Sequence, residues 1–138
     1  MATIINAVSG TGLTQSADAS GQIKIQSNGV TTNALAWVNF DGTNAFSPNP
    51  STSAIRAAYN VSSITRTSTG LYTINFTNAL SDANYSAVMT GSDIGTLNQC
   101  ISSPYLGGTY SSSQLQIQCL YGVTPTNFSR VCVAIFGN

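Results

Sequence analysis

Apolar and polar residues alternate at every second position in run after run of this chain, and no run shows the three-to-four-residue recurrence of an amphipathic helix. In QLQIQCL, Leu115, Ile117 and Cys119 oppose Gln114, Gln116 and Gln118. In LYTINFT, Tyr72, Ile74 and Phe76 align; in YSAVMT, Tyr85, Ala87 and Met89 do. Val38 and Phe40 alternate with Trp37 and Asn39 before Asp41-Gly42 turns the chain, and QIKIQ sets Ile23 and Ile25 against Gln22, Lys24 and Gln26. Strands of this length, spaced by Gly, Pro, Asn and Ser, predict an all-β fold: an antiparallel β-sandwich, jelly-roll-like, over residues 36–138.

Local signals refine that reading. Asn28-Gly29 is a type I′ hairpin signal after QIKIQ, and residues 67–70 turn AIRAAYNVSSI back into LYTINFT. The pattern of AIRAAYNVSSI puts Ile55, Ala57, Tyr59 and Val61 on one side. The connection at Ser81 has room for one capped helical turn. A weaker strand surrounds Cys100, and PYLGGTYSSS reads as a loop. VCVAIF is apolar at both parities, the pattern of a strand buried on both sides. Residues 1–35 are thin in apolar side chains and rich in Gly, Ser and Asn, which marks them as a separate stem or attachment segment. A ribbon this small is marginal alone and needs a partner surface.

Composition then narrows the chemistry. Only 6% of the residues are charged, with four acids, four bases, no His and no Glu, and the net charge is zero. Ser, Thr, Asn and Gln make up roughly four residues in ten and carry solubility instead. Catalytic triads that use His are excluded, and a Ser-Lys variant has only Lys24, in the N-terminal ribbon. Asp18, Asp41 and Asp82 sit in turn or cap sequences, where the carboxylate serves the local backbone. Asp93, in GSDIG, has no second acid nearby to help it hold calcium. Gly107-Gly108 precedes no helix that could cradle phosphate. The chain is therefore read as non-enzymatic, with no cofactor and no metal.

No basic cluster drives nucleic-acid binding, and no apolar run approaches the length needed to cross a bilayer, so neither nucleic acid nor membrane insertion is expected. The N-terminus lacks the pattern of a secretory signal. Cys100, Cys119 and Cys132 fit no metal-site spacing and read as small buried side chains. Low net charge favours self-association. What remains is recognition: an aromatic face with neutral amides and hydroxyls suits sugars, and Trp37, Tyr105, Tyr110 and Tyr121 are the candidate glycan or receptor contacts. Trp37, inside a strand, also suits core or interface packing. A free-standing lectin-like module is the alternative to a structural role.

The opening MATIINAVSGTGLTQSADASGQIKIQSNGVTT resembles the N-terminal segment of small tailed-bacteriophage virion proteins. AWVNFDGT and AIRAAYNVSSITRTSTGLYTINFTNALSDANYS are similar to a domain recurrent in phage tail-fibre and other virion surface proteins. The likeness covers most of residues 1–90; the last third matches less specifically. It implies a homotrimeric structural protein on the virion surface, a tail-fibre tip or a capsid-surface knob or decoration protein. Its N-terminal segment would meet other capsid or tail proteins, and its C-terminal domain would face outward toward host-surface glycans.

Overall fold

The computed structural model describes residues 26–27, 30–31, 33–92, 100–105 and 108–137. Strands β1 (Gln26–Ser27) and β2 (Val30–Thr31) pair antiparallel with Asn28 and Gly29 between them, as that dipeptide predicts. The other strands are β3 (Ala34–Phe40), β4 (Ile55–Tyr59), β5 (Val61–Ser68), β6 (Leu71–Phe76), β7 (Ser86–Ser92), β8 (Cys100–Pro104), β9 (Gln114–Tyr121), β10 (Thr124–Pro125) and β11 (Arg130–Phe136). No helix occurs among the described residues. At Ser81 the expected helical turn is replaced by an Asp82 turn, in which the carboxylate Oδ1 accepts the Asn84 N–H at 2.6 Å.

Two antiparallel sheets result. One has the order β4-β3-β11-β7; the other runs β10-β9-β6-β5, with β8 also on β9. The order is not that of a jelly roll, in which successive strands alternate between sheets. Here β3 and β4, β5 and β6, and β8 and β9 are sequence neighbours that pair within one sheet.

Period-two alternation places the core. From the four-stranded sheet, Ala36, Val38, Phe40, Val131, Val133 and Ile135 point inward. They meet Ile64, Tyr72, Ile74, Leu115, Ile117 and Cys119 of the other sheet in one buried cluster. A one-residue slip in any of these strands would exchange its buried set for its outer set, so burial fixes the register.

Asn60 makes the corner between the sheets. It has φ 55°, a left-handed conformation that Asn tolerates better than most residues, and it breaks the long expected strand into β4 and β5. Its Nδ2 donates to Leu35 O and Asn78 O at 3.2 and 3.1 Å, while its Oδ1 accepts from Asn78 N at 2.8 Å. Just before it, Asn39 pairs with Ala57 but Phe40 with Ile55, so Arg56 is bulged out. The bulge changes parity within β4. Ile55 and Ala58 pack on the core, whereas Ala57 and Tyr59 face outward, which corrects the single-sided grouping of Ile55, Ala57 and Tyr59.

Tyr72 anchors the opposite end. Its ring is fully buried and meets Phe40 edge-on at 5.1 Å; its hydroxyl lies 2.9 Å from Gly42 O and 2.7 Å from Asn127 Oδ1. Burial, above all, pushes this phenol far above its ordinary value, so it stays a proton donor. Gly42 is required by the close approach: a Cβ there would fall 2.5 Å from the Tyr72 hydroxyl. Arg66 completes the clamp, donating to Gly42 O and Asn44 O while its guanidinium lies 4.7 Å from the Phe46 ring centroid.

Both anchors are testable by urea unfolding. Tyr72→Phe removes the buried hydroxyl that lies within hydrogen-bond reach of Gly42 O and Asn127 Oδ1, and should cost about 1–2 kcal/mol. Asn60→Ala loses three hydrogen bonds and an accessible left-handed conformation, and should cost about 2–3 kcal/mol. A neutral result for either would show that the corner or the clamp does not hold the sheets.

Candidate functional site

Strand alternation gives each sheet an outer face, and the two faces differ in kind. Across the five-stranded sheet the outer row Thr65, Thr73 and Gln116 is polar, as is the row Ser63, Asn75 and Gln114. Asn75 Nδ2 donates to Ser63 Oγ and Thr65 Oγ1, both at 3.1 Å, which ties neighbouring rows together. That face suits water.

The outer face of the four-stranded sheet does not. One row runs Tyr59, Trp37, Ala134, Val88, and the next runs Ala57, Asn39, Cys132, Thr90. Neither row contains a charge. Tyr59, Trp37 and Val88 are 43%, 39% and 58% exposed, and Phe136 adds a further exposed ring at the end of β11. In the first row the side chains are large on β4 and β3 and small on β11, so Tyr59 and Trp37 stand as a ridge. Beside it lies an open groove of about 320 Å³ with Ala134 and Cys132 on its floor, lined also by Trp37, Asn39, Val88 and Thr90. In the groove wall, the buried Oδ1 of Asn39 accepts no hydrogen bond from the described residues.

The β11 register corrects the reading of VCVAIF as a strand buried on both sides. Val131, Val133 and Ile135 are buried, but Cys132 and Ala134 are half-buried on the open face. The apolar second parity is present; within one chain nothing among the described residues covers it.

Charge gathers elsewhere. Asp41, Arg56, Arg66 and Arg130 lie at the end of the sandwich that carries the 41–50 loop, where β3 ends and β11 begins. Arg56 donates to Asp41 Oδ2 at 2.8 Å. Burial pushes the Asp41 carboxyl up, but hydrogen bonds from the Thr43 hydroxyl and N–H, together with Arg56, outweigh it and hold the group below its ordinary value. Asp41 therefore serves the turn. Asp82 is likewise engaged in its own turn, and Asp18, Lys24 and Asp93 lie outside the described residues. Among the described residues, no three of His, Cys, Asp and Glu come together in a group that could hold a metal ion.

The four aromatic candidates do not form one site. Trp37 stands in the middle of the apolar face. Tyr110 stacks on Tyr85 with centroids 4.4 Å apart and donates its hydroxyl to Tyr85 O at 2.7 Å. Tyr85 is itself buried and donates to Ser111 O, so the pair pins residues 110–113 to the end where β3 begins and β11 finishes. Burial raises both phenols, that of Tyr85 to about 12. Tyr105 follows β8 and is half-exposed, with its N–H on Gln116 O. Tyr121 closes β9 at the opposite end, next to the hairpin whose tip is Gly122, at φ 59°, and Val123. Sequence reasoning missed Tyr59, Val88, Ala134 and Asn39. The signal for them was the double parity of VCVAIF taken together with its neighbours in the sheet.

Comparison of the chain with family models, with curated proteins and with solved structures finds no match in any of the three.

Two measurements check these assignments. Tyr110→Phe should lower stability by about 1 kcal/mol in thermal or urea unfolding, whereas Tyr121→Ala should leave it unchanged. Because the Asp41 carboxyl is depressed in the folded state, its contribution is present above the unfolded value of about 3.9 and lost as pH falls through the lower folded value. Asp41→Asn should accordingly lack that acid-side loss; identical pH–stability profiles for the two proteins would contradict the assignment.

Proposed function

We propose that this chain is a non-enzymatic structural protein of a bacteriophage virion that works as a homotrimer on the particle surface, as a tail-fibre tip or a capsid-surface knob or decoration protein. The observation that carries the reading is the pair of uncharged rows Tyr59-Trp37-Ala134-Val88 and Ala57-Asn39-Cys132-Thr90 on the outer face of the four-stranded sheet, with Arg130 at their edge, set against the Gln, Thr, Ser and Asn rows of the partner sheet. Monomeric proteins seldom expose a contiguous apolar surface of this kind, and larger patches mark association. The absence of His and Glu supports the non-enzymatic part, since general acid–base chemistry has few groups to draw on.

The expected boundary after residue 35 falls inside β3, to which Ala34 and Leu35 belong, so residues 1–33 serve as the attachment segment to other capsid or tail proteins and the chain from β3 onward forms the outward domain. The chain enters the sandwich at Ala34, at the end pinned by Tyr85 and Tyr110. An attachment through residues 1–33 therefore leaves the opposite end outermost, with Tyr121 and the Gly122-Val123 tip. Contact with host-surface glycans then falls to Tyr121 before Tyr105 or Tyr110, because the Tyr110 hydroxyl and one face of its ring are engaged within the chain.

The test is copurification with particles in copy numbers divisible by three. Deletion of residues 1–33 should keep the β-type circular dichroism of the remaining chain and abolish incorporation. A truncated chain that still enters particles, or a protein never found in them, would overturn the reading.

A further inference from the structure

We infer that residues 47–51 form a strap over the free edge of β5, with the Asn49 side chain standing in for a strand backbone, and that this strap keeps the edge from taking up a strand of another chain. Within its sheet β5 is a terminal strand, paired only with β6. A terminal strand presents unpaired N–H and C=O groups, the template on which a foreign strand adds. Its pairing with β6 shifts register between Val61 and Ser63 and again between Arg66 and Ser68, so the regular stretch from Ser63 to Arg66 is the part able to accept one.

That stretch is the part the strap covers. Ser51 N donates to Ile64 O at 2.7 Å and Ile64 N donates to Ser51 O at 2.9 Å, a complete antiparallel pair. Two residues along, where the next outward pair of β5 falls, Asn49 Nδ2 donates to Arg66 O at 2.9 Å and Asn49 Oδ1 accepts from Arg66 N at 3.0 Å. One primary amide thus supplies both the donor and the acceptor that a strand residue would bring.

The strap ends the sheet without offering a new edge. Pro48 and Pro50 flank Asn49 and have no N–H, so its far side lacks a donor at both positions. Residues 47–50 are exposed, but each end is anchored in buried structure. Phe46 is buried with the Arg66 guanidinium 4.7 Å from its ring centroid, and the buried Ser51 Oγ accepts from Ala54 N at 3.3 Å. Arg66 therefore acts twice: Asn49 covers its backbone, while its guanidinium donates to Gly42 O and Asn44 O and holds the loop over the same edge.

Composition explains why a cover is needed. Exposed edges are commonly kept apart by charge, Lys above all. β5 has Arg66 alone, and that guanidinium is turned onto loop carbonyls instead of standing out over the edge. The strand excluded by the strap is β5 of a second copy. Two identical edges laid antiparallel about a two-fold axis match N–H to C=O along the same regular stretch.

The experiment compares the full chain with Asn49→Ala, which opens the edge, and Asn49→Lys, which opens it equally but sets a charge on it. Tyr110→Phe, weakened at a site away from β5, controls for lost stability alone. In both Asn49 variants the Arg66 amide should exchange with deuterium about five- to tenfold faster, the equivalent of one hydrogen bond. Light scattering over a concentration series should show Asn49→Ala reaching at least about twice the wild-type mass, with Asn49→Lys and Tyr110→Phe unchanged and the strand signal in circular dichroism kept by all. An Asn49→Ala chain that keeps the wild-type mass overturns the inference, whether or not its Arg66 amide is freed. A comparable rise in Asn49→Lys or Tyr110→Phe overturns it too, as does loss of the strand signal in Asn49→Ala, which would make Asn49 a folding residue. Because mass is read against the wild type, the result is decided independently of how many copies the wild type contains and of its presence in particles.

Discussion

Because side chains alternate across a strand, the burial of one parity in β3 and β11 compels the other parity to face away from the core, and every property of the molecule's surface follows from what occupies it. Val38, Phe40, Val131, Val133 and Ile135 have to be inside, so Trp37, Asn39, Cys132 and Ala134 have to be outside. In most antiparallel sheets the outward parity is polar. The five-stranded sheet mostly obeys, with Thr65, Thr73, Asn75, Gln114, Gln116 and Gln118 beside Leu71 and Leu120; the two central rows of the four-stranded sheet do not. A chain with so few charges has little else with which to make that second face soluble, and the proposed association would remove the difficulty.

The ends of the sandwich absorb the work that the faces do not. Tyr72 and Arg66 hold the 41–50 loop through backbone carbonyls, and Asn60 holds the sheet corner in the same way. These are neutral or locally satisfied arrangements, in which even the Asp41–Arg56 pair is partly wet and of modest worth. The outer sheet face is left free of structural duty. Substitutions on it should change assembly without changing fold, which separates the two functions cleanly in experiment.

Much of this was legible in the residues. Alternation in QLQIQCL, LYTINFT and YSAVMT predicts the strands, and the inward sets Leu115, Ile117, Cys119 and Tyr72, Ile74, Phe76 are the buried ones. What pattern alone does not reveal is a change of parity within a run. The bulge at Arg56 and the left-handed Asn60 turned one expected strand into two with different faces, and neither residue type announces that role. Likewise, Trp37 and Tyr59 become neighbours only through a pairing register that no local window contains. The loop tyrosines looked alike in sequence, yet a stacking partner 25 residues away makes Tyr110 part of the scaffold and leaves Tyr121 open.

Trp37 is the chain's only tryptophan and sits at the centre of the proposed contact, so its fluorescence reports on that face directly. In the assembled protein the account predicts blue-shifted emission that resists iodide quenching, changing on dilution to the red-shifted, readily quenched emission of an indole about two-fifths exposed. Emission that is equally open to iodide in an intact oligomer would contradict it.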